Sequence, residues 1–386
     1  MTTFLMIIAI FLYFFLKNKN NANKSYIIGM SVILIVVSGL RHEAVGNDTL
    51  AYMQLYEGVG SESWSSITDN FLDNYLNPLD NSGKDPGYRV LTKVLYTFLP
   101  DARLYLFVVA VIFIGAFGYF LSKNSKSLET TLFSYMFYLA LFWGYLPNSA
   151  VRQSLTIGAI MVGYTFLQQK KLAQFILLVL LGSLIHKSGL LVLILIPLYY
   201  FINANKFYKY SIALFALSLL FSDQFAMLFM DQNEVYNNYL GGYYGGENGS
   251  KPFMVIILFF GLYIFGWMGL PEDANEEGNR LNYIGISLAL VFLPLIWVNP
   301  SLIRIVGYFA PFMGIAVGDS FGRINNGSLF RILVIVVFIY HSLSYFDSFK
   351  MMWQHMELHE RYGQVIELPT DFVINNFCNT AKFETA

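Results

Sequence analysis

The sequence predicts an all-α polytopic membrane protein with about 12 transmembrane helices. Hydrophobic residues fill 56% of the 386 positions and charged residues only 13%, whereas a soluble domain carries about 25% charged residues. Apolar stretches also recur along nearly the whole chain, at lengths near the roughly 20 residues that a bilayer-spanning helix requires. These observations favour a membrane protein over a soluble domain.

Twelve apolar stretches fit spanning helices, the shorter ones with end residues that snorkel to the interface. They lie near residues 3–16, 26–40, 104–121, 131–146, 150–167, 172–186, 189–202, 208–222, 253–270, 281–298, 302–320 and 329–346. A shorter stretch, 88–99, carries Arg89 and Lys93 and predicts an amphipathic helix on the membrane surface.

Lysine and arginine in short loops predict the orientation, because they concentrate on the cytoplasmic side. Five loops that carry them share one side if the twelve spans hold: 17–24, 122–127, 168–171, 203–209 and 321–331. Residues 1–346 then form one transmembrane domain with outer loops at 41–103 and 223–252, and residues 347–386 form an extracytoplasmic tail. The N-terminal stretch lacks a basic region and a small-residue cleavage site, so it predicts a retained helix.

The composition argues against several functions. A net charge of −1 does not indicate a basic surface for nucleic-acid binding. The single cysteine, Cys378, allows neither an intrachain disulfide nor a cysteine zinc site. The chain has no Walker loop and no GxGxxG motif, so ATP is not expected as the energy source. His355 and His359 stand four residues apart without the HExxH order. We therefore expect no cofactor and no metal.

The predicted topology gathers charged residues on the outer face. They are Arg41, Glu43 and Asp48 after the second span, Asp85 before the surface helix, Arg152 at the start of the fifth span, His186 and Lys187 between the sixth and seventh, and Arg304 at the start of the eleventh. None of them was used to assign the orientation, so their common side is an independent observation.

Two arginines stand where helices are predicted to begin. Arg152 follows Pro147, Asn148 and Ser149, and Arg304 follows Pro300 and Ser301. A helix N-terminus attracts anions, and a guanidinium pairs with phosphate oxygens through two parallel hydrogen bonds. Arginines at these helix starts would suit the binding of a lipid-linked diphosphate at the level of the lipid headgroups. Alternatively, such arginines snorkel to lipid phosphates.

The sequence allows two roles for His186. Histidine can take a proton from a sugar hydroxyl near neutral pH, or it can merely cap a helix C-terminus. Asp48 and Glu43 could orient this histidine, accept the proton themselves or pair with the arginines. Asp85, in DPGY, is either part of the site or a turn residue only.

Five motifs in order carry a family resemblance: GLRHEAVGNDTLAY (39–52), DPGYRVL (85–91), NSAVRQSLTIG (148–158), LIHKSGLLVL (184–193) and RIVGYF (304–309). Together they resemble the EpsG family of exopolysaccharide polymerases, which are relatives in function of the Wzy O-antigen polymerases. Lys187 departs from the family pattern, in which a small or hydrophobic residue is commoner.

The resemblance implies an enzyme of the inner membrane whose active site faces the outside. Its donor and acceptor are polyprenyl diphosphate-linked oligosaccharide repeats, undecaprenyl diphosphate being the bacterial carrier, and its product is exopolysaccharide, O-antigen or capsule. It also implies the multispanning architecture of lipid-dependent (GT-C-like) glycosyltransferases. Membrane lipid, a flippase and a chain-length regulator are the expected partners.

The resemblance also implies residue roles. Three arginines hold the diphosphate: Arg41, Arg152 and Arg304. His186 is the base that activates the acceptor hydroxyl, with Asp48 as the alternative. Three further residues bind or orient the substrate: Glu43, Asp85 and Gln153.

Two other functions compete with polymerisation. One is the same chemistry with another acceptor or donor, in a ligase or a polyprenyl-phosphate-sugar glycosyltransferase. The other is a flippase or exporter of lipid-linked oligosaccharide, which requires charged groups along a cavity open to both leaflets. The predicted spans are nearly free of charge, which favours a one-sided enzyme.

Overall fold

The computed structural model of the protein describes residues 2–43, 45–46, 48–76, 85–224, 253–268, 275–298 and 302–323. Every regular element in these ranges is a helix. This confirms the predicted all-α class for the described part of the chain.

The helices are numbered in chain order. The first nine are α1 (Thr2–Leu16), α2 (Ala22–Gly39), α3 (Thr49–Ser61), α4 (Trp64–Leu76), α5 (Pro86–Phe98), α6 (Ala102–Asn124), α7 (Leu128–Leu141), α8 (Val151–Gln168) and α9 (Leu172–Ile185). A 3₁₀ helix (Lys187–Ile194) leads into α10 (Leu195–Phe201) and α11 (Ala204–Leu220). The last four are α12 (Phe253–Met268), α13 (Glu277–Phe292), α14 (Leu295–Val298) and α15 (Ile303–Arg323).

The predicted spans coincide with these helices. The exception is 329–346, which lies outside the described residues, as do the tail 347–386 and nearly all of the loop 223–252. The fourth span was predicted to reach residue 146, but α7 ends at Leu141 and turns follow it. The seventh begins as a 3₁₀ helix instead of an α-helix.

Three helical segments of the described chain are long and apolar enough to cross a membrane: Ala22–Gly39, Ala102–Asn124 and Gly278–Val298. Shorter apolar helices occupy Thr2–Leu16, Leu172–Ile185, Lys187–Phe201 and Ile256–Gly266. These helices support a membrane protein. The total of twelve spans and the GT-C-like architecture stay predictions.

The chain divides into two compact units. Unit 1 comprises Met1–Phe11, Glu129–Leu141 and Pro197–Ala386, and unit 2 comprises Leu12–Leu128 and Phe142–Ile196. In unit 1, the Tyr208 and Tyr263 rings of α11 and α12 stack with centroids 4.5 Å apart. The α13 and α15 helices pack closely at Gly285, where a Cβ atom would lie 2.1 Å from the Phe312 ring.

Glycines also set the close helix contacts of unit 2. A Cβ atom at Gly39 would lie 2.5 Å from the Phe107 ring of α6, and one at Gly118 would lie 2.6 Å from Ser31 Oγ of α2. Small residues at helix interfaces let backbones approach closely in membrane proteins. The α2 and α6 helices, both apolar enough to span a bilayer, are packed in this way.

The predicted outer loop 41–103 contains three helices, α3, α4 and α5, and is therefore not an irregular loop. The α5 helix confirms the helix predicted over 88–99, but its Lys93 is buried. Lys93 Nζ donates to the carbonyls of Val59 at 3.1 Å, Gly60 at 3.0 Å and Glu62 at 2.7 Å. The ammonium group hydrogen-bonds the carbonyls at the end of α3. Its positive charge also interacts favourably with the negative end of the α3 dipole.

Candidate active site

A buried aspartate is the centre of the candidate site in unit 2. Asp85 Oδ2 accepts a hydrogen bond from Arg152 Nη1 at 2.9 Å and lies 3.1 Å from His186 Nδ1. Its other oxygen, Oδ1, accepts from the backbone N–H of Lys187 at 3.2 Å. Only 9% of the Asp85 side chain is exposed. A buried carboxylate thus joins an arginine and a histidine that lie far apart in sequence.

The local structure of the DPGY motif positions Asp85 between Arg152 and His186. Asp85 stands just before α5 with φ at 50°, and Pro86 occupies the first helical position, where its missing N–H costs nothing. A Cβ atom at Gly87 would lie 2.4 Å from the Leu184 carbonyl oxygen. Only glycine lets the start of α5 approach the end of α9 so closely. The motif is therefore a packing device as well as a turn.

His186 is the residue at which α9 ends. Its backbone N–H donates to the Gly182 carbonyl at 3.0 Å, and the 3₁₀ helix begins at the next residue. Asp85 fixes the Nδ1 side of the ring, while Nε2 makes no hydrogen bond within the described part of the chain. The side chain is 18% exposed. With Nδ1–H donated to the carboxylate, Nε2 is available to accept a proton.

Arg152 is the second residue of α8, as the sequence predicts. Besides its ion pair with Asp85, its Nε donates to the Tyr52 hydroxyl at 3.3 Å. The guanidinium carbon lies 6.0 Å from the ring centroids of both Tyr52 and Tyr88. Nη2 makes no hydrogen bond to the described residues, and the side chain is 27% exposed. One edge of the guanidinium is thus left for an anion.

A threonine ties α8 to α9 one turn beyond Arg152. Thr156 Oγ1 donates to the Arg152 carbonyl at 3.0 Å and to the Gly182 carbonyl at 2.9 Å. At Gly189, a Cβ atom would lie 2.7 Å from Thr156 Cγ2. The helix that carries Arg152 and the helix that ends at His186 are therefore fixed against each other.

Arg41 lies in the same unit, just after α2. Its Nη1 donates to the Ser38 carbonyl at 2.7 Å and its Nε to Thr49 Oγ1 at 3.4 Å. Gly46 has φ at 98°, and a Cβ atom there would lie 2.0 Å from the Asn148 carbonyl oxygen. Glycine is required both by this conformation and by this approach. The segment with Arg41 is thereby seated on the turn that precedes α8.

The remaining predicted residues of unit 2 hold other positions. Asp48 is the N-cap residue of α3, where its side chain makes no capping hydrogen bond, and both it and Glu43 are half-buried. Gln153 is buried and accepts from the Tyr145 hydroxyl at 2.5 Å. The carboxylate that contacts His186 is that of Asp85, so of the alternatives weighed for Asp85 the turn-only reading does not describe this structure.

Arg304 belongs to unit 1, as the second residue of α15, and is half-buried. Its position at a helix start agrees with the sequence prediction. Its role toward a diphosphate stays a prediction.

Opposing effects act on the Asp85 carboxyl group. Burial raises the pKa of Asp85, but the hydrogen bond with His186, the charges of His186 and Arg152 and the Lys187 N–H together lower it below its ordinary value of 3.8. The carboxylate is therefore ionised at neutral pH. Burial raises the pKa of the Tyr88 hydroxyl well above its ordinary value, so that group stays neutral.

Sequence reasoning missed the tyrosines around Arg152. Neither Tyr52 nor Tyr88 is among the residues predicted for the site, yet both rings lie with their centroids 6.0 Å from the guanidinium carbon. One signal was available: each stands three residues after a polar residue of a quoted motif, Thr49 or Asp85. On α3, that spacing places Thr49 and Tyr52 on one helix face. Asp85 stands just before α5, one turn from Tyr88.

A family model described as "EpsG family" matches residues 26–355, a range that includes every candidate residue named above. No curated protein and no solved structure matches the chain.

Proposed function

This chain belongs to the EpsG family, and we propose that it polymerises polyprenyl diphosphate-linked oligosaccharide repeats. In this proposal, the growing chain on one polyprenyl diphosphate is transferred to a sugar hydroxyl of another lipid-linked repeat. The enzyme is thus a glycosyltransferase with a lipid-linked donor. The family membership supports an exopolysaccharide-related polymerase, and the finer assignment rests on the chemistry of the site.

The observation that carries the proposal is the contact of Asp85 with both Arg152 and His186. Glycosyl transfer from a diphosphate needs a base for the acceptor hydroxyl and positive charge for the leaving group. The two groups are His186, whose Nε2 makes no hydrogen bond to the described residues, and Arg152, whose Nη2 makes none to them either. Their shared carboxylate fixes one relative to the other, which suits reaction with a bound substrate.

His186 is the proposed base. The acceptor hydroxyl oxygen attacks the anomeric carbon, and its proton passes to Nε2 of His186. Asp85 orients the ring through Nδ1 and stabilises the imidazolium that forms, as a carboxylate does for the histidine of a hydrolase triad. A single displacement of this kind inverts the configuration at the anomeric carbon.

Arg152 is the proposed contact for the leaving group. When the bond between the anomeric carbon and the diphosphate oxygen breaks, the diphosphate takes the bonding electron pair. The guanidinium edge left open by Asp85 and Tyr52 then donates to the developing charge. The family motifs assign Arg41 and Arg304 the same chemistry, and Glu43 and Gln153 a binding or orienting role.

The proposal includes a location and partners. The site faces the outside of a bacterial cytoplasmic membrane, where lipid-linked repeats arrive from a flippase and a chain-length regulator limits the product. A flippase function for this chain is the competing proposal. A fixed base beside a fixed cation serves transfer chemistry directly. The predicted spans carry few charged residues that could line a cavity open to both leaflets, so we favour the enzyme.

Deletion of the gene in its native cell tests the proposal. Cells without the protein should lose polymer and accumulate lipid-linked single repeats on the outer leaflet, because translocation continues and polymerisation stops. A flippase mutant would instead retain single repeats on the inner leaflet. The leaflet is read by the access of an added glycosidase to the sugars in spheroplasts. Accumulation on the inner leaflet would overturn the polymerase proposal.

A further inference from the structure

The first turn of α3 contacts both of the candidate arginines in unit 2. Thr49 Oγ1 accepts from Arg41 Nε at 3.4 Å, and the Tyr52 hydroxyl accepts from Arg152 Nε at 3.3 Å. Thr49 and Tyr52 are three residues apart on a helix, so their side chains are neighbours on one face. One helical turn therefore sets the relative position of two guanidinium groups.

Tyr52 makes two kinds of contact with Arg152. Its hydroxyl accepts a hydrogen bond, and its ring lies with its centroid 6.0 Å from the guanidinium carbon. The Tyr88 ring lies at the same distance from that carbon, and the two rings pack edge-to-face with centroids 5.8 Å apart. Aromatic rings attract a guanidinium within about 6 Å. Arg152 is thus held by two rings, a hydroxyl and a carboxylate.

The aromatic cluster is itself fixed by neighbouring helices. The Tyr88 hydroxyl is hydrogen-bonded to the Tyr105 hydroxyl of α6. The Tyr56 ring stacks on Tyr105 with centroids 4.3 Å apart, and its hydroxyl donates to the Leu99 carbonyl at 2.6 Å. Tyr52, Tyr56, Tyr88 and Tyr105 are all buried.

We propose that Tyr52 is a positioning residue, which holds the Arg152 guanidinium so that Nη2 faces the diphosphate before the lipid binds. An unrestrained arginine side chain loses much rotamer freedom when it grips an anion, and this loss weakens binding. Tyr52 reduces that loss because it engages Nε, while Asp85 engages Nη1. The inference rests on the proposed function in one respect, namely that Arg152 binds the diphosphate.

The substitution Tyr52→Phe tests the inference, because it keeps the ring and removes only the hydroxyl. Binding of geranylgeranyl diphosphate to the full-length protein in detergent is measured, with geranylgeraniol as the uncharged reference. We expect a Kd about 3- to 10-fold weaker for the diphosphate, the size of one lost hydrogen bond. Binding of the alcohol should not change.

Tyr96→Phe is the matched control. Tyr96 belongs to the same cluster, since its ring packs against Tyr56 with centroids 5.4 Å apart. Removal of the hydroxyl in Tyr96→Phe should leave the Kd for the diphosphate within about twofold of the wild-type value. Thermal unfolding of both variants, measured in parallel, shows whether either substitution acts through the stability of the fold.

A double-mutant cycle distinguishes positioning from an independent contact. In an Arg152→Ala background, Tyr52→Phe should have no further effect, because Tyr52 acts through Arg152. Equal losses in both backgrounds would overturn the inference, and so would wild-type affinity in Tyr52→Phe. If the wild-type protein binds the diphosphate no better than the alcohol, the proposed diphosphate site fails as well, so the two failures are distinguishable.

Discussion

Arg152 and His186 share one carboxylate oxygen: Asp85 Oδ2 lies 2.9 Å from Nη1 of the arginine and 3.1 Å from Nδ1 of the histidine. The proposed anion ligand and the proposed base are therefore not independent. A change at Asp85 alters the orientation of both. The arrangement gives predictions for each of the three residues and for the glycine that brings them together.

Replacement of Asp85 by asparagine should destabilise the protein at neutral pH. The substitution leaves the Arg152 guanidinium without its ion-pair partner in a largely buried place, for which we expect a loss of about 3 kcal/mol in the free energy of unfolding. Asp69→Asn is the control, because Asp69 is exposed on α4. That change should stay within about 0.5 kcal/mol. Both are measured by denaturant or thermal unfolding in detergent.

The same variant predicts a pH dependence. Since the fold lowers the pKa of Asp85 below 3.8, the carboxylate stabilises the folded state above that value, and the contribution is lost as the pH falls through the lower, folded pKa. The stability difference between wild type and Asp85→Asn should therefore not shrink as the pH falls from about 8 to about 5. It should shrink only below 3.8. A difference that already shrinks between about pH 8 and about pH 5 would contradict the account.

Replacement of His186 by asparagine should separate catalysis from structure. The asparagine amide can donate to Asp85 in place of Nδ1–H, but it offers no basic nitrogen where Nε2 stands. We expect a turnover rate about 10²- to 10⁴-fold lower, with the Kd for a polyprenyl diphosphate and the unfolding temperature near those of the wild type. A variant that polymerises at the normal rate would remove His186 as the base.

Gly87→Ala should disturb the site from outside it. The new methyl group would lie 2.4 Å from the Leu184 carbonyl oxygen, so α5 must move away from α9 and carry Asp85 away from His186. We expect a loss of about 1–3 kcal/mol in stability and reduced polymer. Gly58→Ala is the control: nothing lies within 4 Å of its Cβ, and alanine inside α3 should stabilise by about 0.5–1 kcal/mol. Equal behaviour of the two variants would contradict this packing.

Arg152→Ala and Arg304→Ala should each abolish polymer while the protein still inserts into the membrane, because each removes a charge assigned to the diphosphate. Arg103→Ala is matched in position, since Arg103 is also the second residue of a helix, but it is exposed. Polymer is compared at equal membrane levels of the three variants. Normal polymer from either of the first two would remove that arginine from the proposed role.

The sequence predicted those parts of the structure that depend on local pattern. Apolar stretches of sufficient length became helices, and Arg152 and Arg304 stand at the helix starts where their preceding residues placed them. His186 lies where α9 ends, as expected for a break between two apolar stretches. Each of these features is determined by residues a few positions away.

The pairings within the site depend on tertiary structure and could not be read from local pattern. Asp85 is 67 residues from Arg152 and 101 from His186. Asp48 and Glu43 were therefore equal candidates for the partner of the histidine. The helices α3 and α4 were missed because each is only 13 residues long, too short to register as a span. Tyr52 of α3 and Tyr88 of α5, the helix predicted over 88–99, hold Arg152.

Product length tests the central claim most directly. Lipid-linked repeats, extracted from native cells that lack the protein, are incubated with the purified full-length protein in detergent without nucleotide, and the products are analysed by mass spectrometry. The account predicts lipids that carry two or more repeats, with free polyprenyl diphosphate released, and predicts neither with His186→Asn. Unchanged single repeats in the presence of folded wild-type protein would contradict it and would point to transport.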